Sequence, residues 1–333
     1  MPAPPADPRP LLSGAAPGCS LPQPVDRRSF LAATLALAAG ARSAPASARR
    51  PDPRTRLILL GTGGGPRPRA ESSAPAQVIV ADGVGYVVDC GDGVARQLAR
   101  AGVPLASLRH VFITHQHSDH NADYGNLLLL AWTAGLRTRV DAWGPPPLAR
   151  ITRLFLEMSE YDIVTRMADE GRPALGPLIH PHELTGGGPV ARDERVKVTA
   201  ARVRHPLVEP ALAYRFDAAD RSIVISGDTA PSEDLVRLAR GADVLVHEAM
   251  FLPGVERLAA RMPHAARLKQ HLLASHTSAE DAGRAAQAAG VGTLVLSHFV
   301  PADDPAITDE MWAEAAATHY RGRVVVGKDL MEI

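Results

Sequence analysis

A chain of 333 residues with 46% hydrophobic side chains suits one large α/β domain or two small ones and can fill a sizeable core. Its 36 Lys and Arg balance 36 Asp and Glu, so the formal charge is zero. Strong non-specific binding of nucleic acid needs a basic surface, and this balance gives no electrostatic case for such a partner.

Residues 1–25 are rich in Pro, Ala and Gly, a composition expected to stay disordered. Asp26-Arg27-Arg28-Ser29-Phe30-Leu31 then precedes an apolar run, Leu31 to Ala39, and Ala46-Ser47-Ala48 offers a small-residue cleavage site. This stretch, residues 1–48 as a whole, resembles a bacterial twin-arginine export signal. It implies a periplasmic protein cleaved after Ala48. The apolar run is too short for a permanent membrane anchor, and Cys19 lies before it, where no lipoprotein anchor forms. Cleavage leaves Cys90 as the one cysteine, so the mature chain has no internal disulfide.

Leu57 to Leu60 reads as a buried strand, followed by Gly61-Thr62-Gly63-Gly64-Gly65. The glycine run lacks the Gly-Lys-Ser/Thr ending of a phosphate loop and is expected as a tight turn beside the site, where backbone must approach closely. Gln77 to Ala81 and Tyr86 to Asp89 read as a hairpin around Asp82-Gly83-Val84-Gly85. Asp89 to Gly93 leads into a helix through Arg100, and Cys90 reads as a small packed residue. Val111-Phe112-Ile113 is a short buried strand, and the loop after it runs Thr114-His115-Gln116-His117-Ser118-Asp119-His120. Side chains two apart in extended backbone share a face, so His115 and His117 can grip one metal ion. Asp119 and His120 can face a second ion about 3.5–4 Å away. Imidazole with few carboxylates suits zinc and tolerates iron, manganese or nickel.

Leu127 to Trp132 is expected as a helix, Val140 to Trp143 as a strand and Pro147 to Glu160 as a helix. Residues 161–195 lose regular periodicity and gather Gly and Pro, which reads as a surface loop or lid. His180 and His182 there read as solvated loop histidines rather than pocket residues. Strands are expected at Val196 to Val203, Leu212 to Phe216, Ser222 to Ser226, Asp243 to Val246 and Thr293 to Ser297. Four of them run into polar residues: His205, Asp228, His247-Glu248 and His298. Strand ends are where layered α/β folds place their sites. Pro231 to Arg240 and Ser278 to Ala289 read as helices, the second stopping at Gly290. Thr277 and Ser278 are ordinary helix-capping residues.

His115-x-His117-x-Asp119-His120 resembles the signature of the metallo-β-lactamase fold hydrolases. His205, Ser226-Gly227-Asp228-Thr229, His247-Glu248-Ala249, His276-Thr277-Ser278 and Leu296-Ser297-His298 follow in the order of one branch, ribonuclease Z with the related arylsulfatases and phosphodiesterases. The resemblance runs from about residue 56 to the C-terminus. It implies a four-layer αββα sandwich in a single hydrolase domain, residues 49–333. It implies that His115, His117 and His205 hold a first ion, that Asp119, His120 and His298 hold a second, and that Asp228 bridges them. The ions are expected to be Zn2+, with Mn2+ or Fe2+ as substitutes, and a metal-bridging hydroxide is the expected nucleophile. Asp119 belongs to the catalytic set as well, beside Glu248 and His276, which match a pair that moves a proton towards the leaving group.

One departure bears on substrate. Ribonuclease Z has a long flexible arm between its third ligand histidine and its Gly-Asp-Thr strand, whereas His205 to Asp228 here holds two strands and the turn Asp217-Ala218-Ala219-Asp220. With the export signal and the zero charge, this points to small sulfate or phosphate (di)esters, as in an arylsulfatase or phosphodiesterase, and argues against nucleic acid. A homodimer is compatible with the chain. The alternative is a ribonuclease Z-like endoribonuclease of the 3′ tRNA-processing type. An iron sulfur-dioxygenase-like oxidoreductase is disfavoured by the full second ligand set, and a non-catalytic metal-binding protein by Glu248 and His276. The export reading predicts that replacing Arg27 and Arg28 with lysine leaves the activity in the cytoplasm. Mature enzyme in the periplasmic fraction of that variant would refute it.

Overall fold

The structure is a computed structural model whose described residues are 54–260 and 265–333. The export-signal reading, with Cys19, Arg27, Arg28 and Ala46 to Ala48, lies outside them. Among the described residues, no helix is long and apolar enough to cross a membrane.

The chain runs β1 (Thr55–Gly61), β2 (Ala76–Ala81), β3 (Val84–Val88), α1 (Val94–Arg100), β4 (Leu108–Phe112), α2 (Ser118–Asn121), α3 (Tyr124–Thr133), β5 (Val140–Gly144), α4 (Leu148–Met158), α5 (Glu160–Glu170) and β6 (Ile179–Glu183). It continues through β7 (Gly188–Arg192), β8 (Val196–Val203), β9 (Ala211–Ala218), β10 (Ser222–Ile225), α6 (Glu233–Leu238), β11 (Val244–Met250), α7 (Leu252–Ala260), α8 (Ala265–Ser275), α9 (Ala279–Ala289), β12 (Thr293–Val300), α10 (Asp309–Ala317) and β13 (Arg323–Val326). One sheet is ordered β1 to β6 and the other β13 to β7. Each combines an antiparallel part, β1 to β3 or β7 to β10, with a parallel part, β3 to β6 or β10 to β13.

Side-chain alternation builds the layers. On β1, Leu57 and Leu59 join a core with Phe112, Tyr214, Phe216 and Val295 between the sheets. Ile58 and Leu60 point the other way, into a core with Leu98, Leu127, Trp132 and Leu148 from the helices. The far sheet has its own helical cover, where Val224, Leu245 and Leu294 meet Ala282, Ala286 and Trp312. Three apolar layers separate four layers of structure, and the expected αββα sandwich is the observed fold. β11, between β10 and β12 in the parallel part of its sheet, is buried on both faces, which is why Val244 to Val246 reads as a continuous apolar run rather than an alternating one.

The stretch 161–195 corrects the expectation of an irregular loop or lid. It contains most of α5 and the strands β6 and β7, one at the edge of each sheet, and carries the chain from one sheet to the other. Pro181 and Pro189 sit in those edge strands, where a missing donor is tolerated, and they break the alternation that would have revealed them. His182 is not a free loop residue: it contacts Asp141 Oδ1 at 2.6 Å and stacks on Trp143 at 3.9 Å. The sequence also gave no hint of the α7–α8 hairpin, whose Val255, Leu258, Leu268 and Leu272 form a small cluster with Met250 and Val300.

Trp132 ties the returning segment down. Its ring is fully buried, its Nε1 donates to the Pro173 carbonyl at 2.8 Å, and the Arg172 guanidinium lies 5.3 Å above it. Trp132→Ala is expected to destabilise the protein by about 3–5 kcal/mol, read as a lower urea midpoint with an unchanged slope. A midpoint within error of the parent's would show that this core does not carry the first sheet.

Candidate metal centre and active site

The polar residues of the site stand at strand ends or just past them. β4 runs into His115, His117, Asp119 and His120; β8 into His205; β10 into Asp228; β12 carries His298 near its end. Asp89, Gly227 and His298 take left-handed backbones there, with φ of 60°, 58° and 45°. Such conformations are uncommon and concentrate at functional sites. At position 227 space adds to conformation, because a Cβ would meet the Leu212 carbonyl oxygen at 2.8 Å and Thr114 Cβ at 2.9 Å. Glycine lets Asp228 turn inward. The glycine run after β1 also behaves as expected: the Gly65 amide donates to Asp119 Oδ2 at 2.9 Å, and a Cβ on Gly64 would strike His298 Nδ1 at 2.6 Å.

Two groups of donors converge in this cleft. In one, His115 Nε2 and His205 Nε2 lie 3.0 and 3.1 Å from His117 Nδ1, and Asp228 belongs to the same group. Ring nitrogens that converge on one another, with a carboxylate oxygen beside them, are arranged as ligands are. In the other, His120, His298, Asp119 and Asp228 come together. Asp228 lies 3.3 Å from His120 Nε2 and 3.2 Å from His298 Nε2, while Asp119 is 3.4 Å from His298 Nε2. His120 Nε2, His298 Nε2 and Asp228 Oδ1 are buried without a hydrogen-bond partner. Buried polar atoms are rarely left so, and a cation between them would satisfy all three.

Charge in the cleft favours the same reading. Burial alone would raise the Asp228 carboxyl, yet His298 and His120 hold it well below the usual carboxylate range. Asp119 is held down against burial by the same two rings. The carboxylates in turn push His298 up to about 10 and His120 well above its ordinary value, both against burial. Burial pushes His115 well down and His205 down to about 4, leaving neutral imidazoles suited to bind metal. The clusters therefore suit divalent ions, in the chemistry of their donors and in their charge.

Behind Asp228, His276 Nδ1 lies 2.7 Å from Glu248 Oε2 and 3.9 Å from Asp228 Oδ2. Glu248 also accepts from the Thr229 amide, and its own amide donates to Ser226 Oγ at 3.1 Å. Burial raises the Glu248 carboxyl, and Glu248 raises His276 against the burial of that ring. All nine residues expected at the site, including Asp119 in both roles, lie together in the cleft. His180 and His182 do not, and Ser278 serves as the N-cap of α9.

Sequence reasoning missed the supports. His120 Nδ1 contacts Asp89 Oδ2 at 2.8 Å, and Asp89 also accepts from the Thr114 amide and hydroxyl at 2.8 and 2.9 Å. His205 Nδ1 donates to the Ser275 carbonyl at 3.0 Å. Each support turns the far ring nitrogen inward. The one sequence signal for Asp89 is its place at the end of the apolar run Tyr86 to Val88. Asp89→Asn is expected to weaken metal binding by about 10–100-fold with an unchanged circular dichroism spectrum, measured by competition with a chromophoric chelator. Unchanged affinity would remove Asp89 from the account.

The profile of the family described as beta-lactamase superfamily domain matches residues 86–299. A protein named ribonuclease Z from Mycobacterium bovis is 35% identical over 266 residues, which is 79% of this chain and 92% of that relative. Another of that name, from Mycobacterium sp. strain KMS, is 37% identical over 267 residues, 79% of this chain and 90% of the relative. Among solved structures, the metallo-β-lactamase fold protein YhfI from Bacillus subtilis has a TM-score of 0.61 at 22% identity, covering 84% of this chain and 98% of its own. The short form of human tRNase Z has 0.60 at 22% identity with the same coverage, and both show the shared fold. The relatives overturn the expectation that argued against nucleic acid, since proteins 35–37% identical to this chain carry a ribonuclease's name. They also weaken the argument from a missing arm. The 266 aligned positions take up about 263 residues of this chain (79% of 333), so the M. bovis relative has no long insertion within the aligned span. The chain belongs to the beta-lactamase superfamily, among the homologues of ribonuclease Z, and is a metal-dependent hydrolase acting on ester bonds.

Proposed function

We propose that this protein is a ribonuclease Z-like endoribonuclease that hydrolyses an RNA phosphodiester with two divalent ions, most simply zinc. The observation that carries the reading is identity of 35–37% to ribonucleases Z over nine-tenths or more of their length. His115, His117 and His205 would hold one ion, Asp119, His120 and His298 the other, with Asp228 shared. When bound, such a pair supplies Lewis acidity and a water acidic enough to attack near neutral pH.

The chain's own residues do the rest. Asp119 holds its place through the Gly65 amide and shapes the second donor group. Glu248 takes the Nδ1 side of His276 and stabilises its protonated form, so Nε2 can give a proton to the leaving ribose oxygen. The Thr229 amide fixes Glu248 in turn, so the pair acts as one unit. The cleft holds about 500 Å³, with Asp119, Asp228, His276 and His298 on its wall. That is room for a nucleotide or two around the scissile bond, while the remainder of an RNA lies outside.

The N-terminal address is a separate proposal and decides which RNA is met. If residues 1–48 direct export, the substrate is RNA outside the cytoplasm rather than a transfer-RNA precursor within it.

The metal-loaded protein is expected to cleave a 3′-extended structured RNA and to leave p-nitrophenyl sulfate intact; the opposite pattern would return the reading to an arylsulfatase. His276→Ala is expected to keep its metal and lose about 10²–10⁴ in turnover of RNA, with a much smaller loss on bis(p-nitrophenyl) phosphate, whose leaving group needs no proton. Loss of metal in that variant would make His276 a ligand, and equal losses on both substrates would leave it no role as an acid.

A further inference from the structure

One imidazole in the cleft is used neither by the donor groups nor by the Glu248–His276 pair. His271, one turn before the end of α8, lines the cleft alongside His117, Asp228, His276 and His298. Its ring centroid lies 5.8 Å from that of His276, 5.9 Å from His205 and 6.3 Å from His117. It belongs to none of the convergent donor groups.

Its orientation is nevertheless set. Ser275 Oγ lies 3.3 Å from His271 Nδ1, and the carbonyl of the same Ser275 accepts the Nδ1 proton of His205 at 3.0 Å. A single residue thus braces one ring of the donor set and one ring of the cleft wall. With the serine hydroxyl as donor, Nδ1 is an acceptor and the proton of the neutral ring sits on Nε2. Among the described residues that nitrogen has no hydrogen-bond partner, and the ring is only half-buried. Beside it the hairpin presents Leu258, Leu268 and Leu272 to the cleft. A donor on an apolar wall binds an anionic oxygen more strongly than one in open water does.

We propose that His271 is a substrate-binding residue whose Nε2–H donates to a non-bridging oxygen of the scissile phosphodiester, on the side of the cleft formed by α7 and α8. The inference rests on the phosphodiester reading above. A non-bridging oxygen is charged before and during the reaction, so the contact strengthens binding throughout and acts on KM rather than kcat.

The test uses the full metal-loaded chain with bis(p-nitrophenyl) phosphate as substrate and adenosine 5′-monophosphate as the calorimetric probe. His271→Leu is expected to keep its metal content, to raise KM about 10–100-fold with kcat within about threefold, and to weaken binding of the nucleotide by a similar factor. His271→Gln keeps a donor and is expected to recover most of the loss. Ser275→Ala, which removes only the brace, is expected to move KM in the same direction by a smaller factor. Loss of metal in His271→Leu, or a fall in kcat at unchanged KM and nucleotide affinity, overturns the assignment, as does parental behaviour in both the leucine and alanine variants. If the parent protein hydrolyses carboxylic esters but no phosphodiester, the reading beneath the proposal fails and takes it along. If the parent cleaves the phosphodiester and His271→Leu matches it, the proposal fails alone.

Discussion

One buried carboxylate holds the site together. Asp228 belongs to every convergent donor group in the cleft and lies within 4 Å of His115, His120, His276 and His298. An ionised carboxylate in the interior costs several kcal/mol unless opposite charge meets it. Here the rings on either side would have to carry protons to meet it, whereas two divalent ions would satisfy the same carboxylate with those rings neutral. The left-handed Gly227 before Asp228 gives that carboxylate its direction.

The sandwich supplies the precision. Parallel pairing of β11 with β12 sets Glu248 opposite Ser297, one residue before His298. Parallel pairing of β3 with β4 sets Val88 opposite Phe112, so Asp89 reaches back to Thr114 and His120 from the neighbouring strand end. Side chains at the ends of rigid strands are held more closely than side chains on loops, and metal centres need that closeness. The helices α7 and α8 lie outside both sheets and add an apolar wall to the centre.

Much of this was legible because the sequence repeats one rule: an apolar strand, then a polar residue. His205, Asp228, Glu248 and His298 all obey it, and the strand at Val196 to Val203 is found where alternation places it. What escaped depends on tertiary partners. Asp89 looks like any turn carboxylate until β4 is laid beside it, and the carbonyl of Ser275 has no side-chain signature at all. The edge strands β6 and β7 are short and carry prolines, so their periodicity is lost, although each completes a sheet. The inference from net charge failed for a different reason. A sum over 333 residues says little about a cleft where a few local donors, and the cations its donor groups would hold, face the substrate.

The central claim is that two ions share Asp228. Anomalous diffraction at the zinc edge, from crystals of the zinc-loaded protein, tests it most directly. The account predicts two peaks, one among His115, His117 and His205 and one among Asp119, His120 and His298, with an Asp228 oxygen coordinating each. A single peak, or two peaks of which only one touches Asp228, would contradict it.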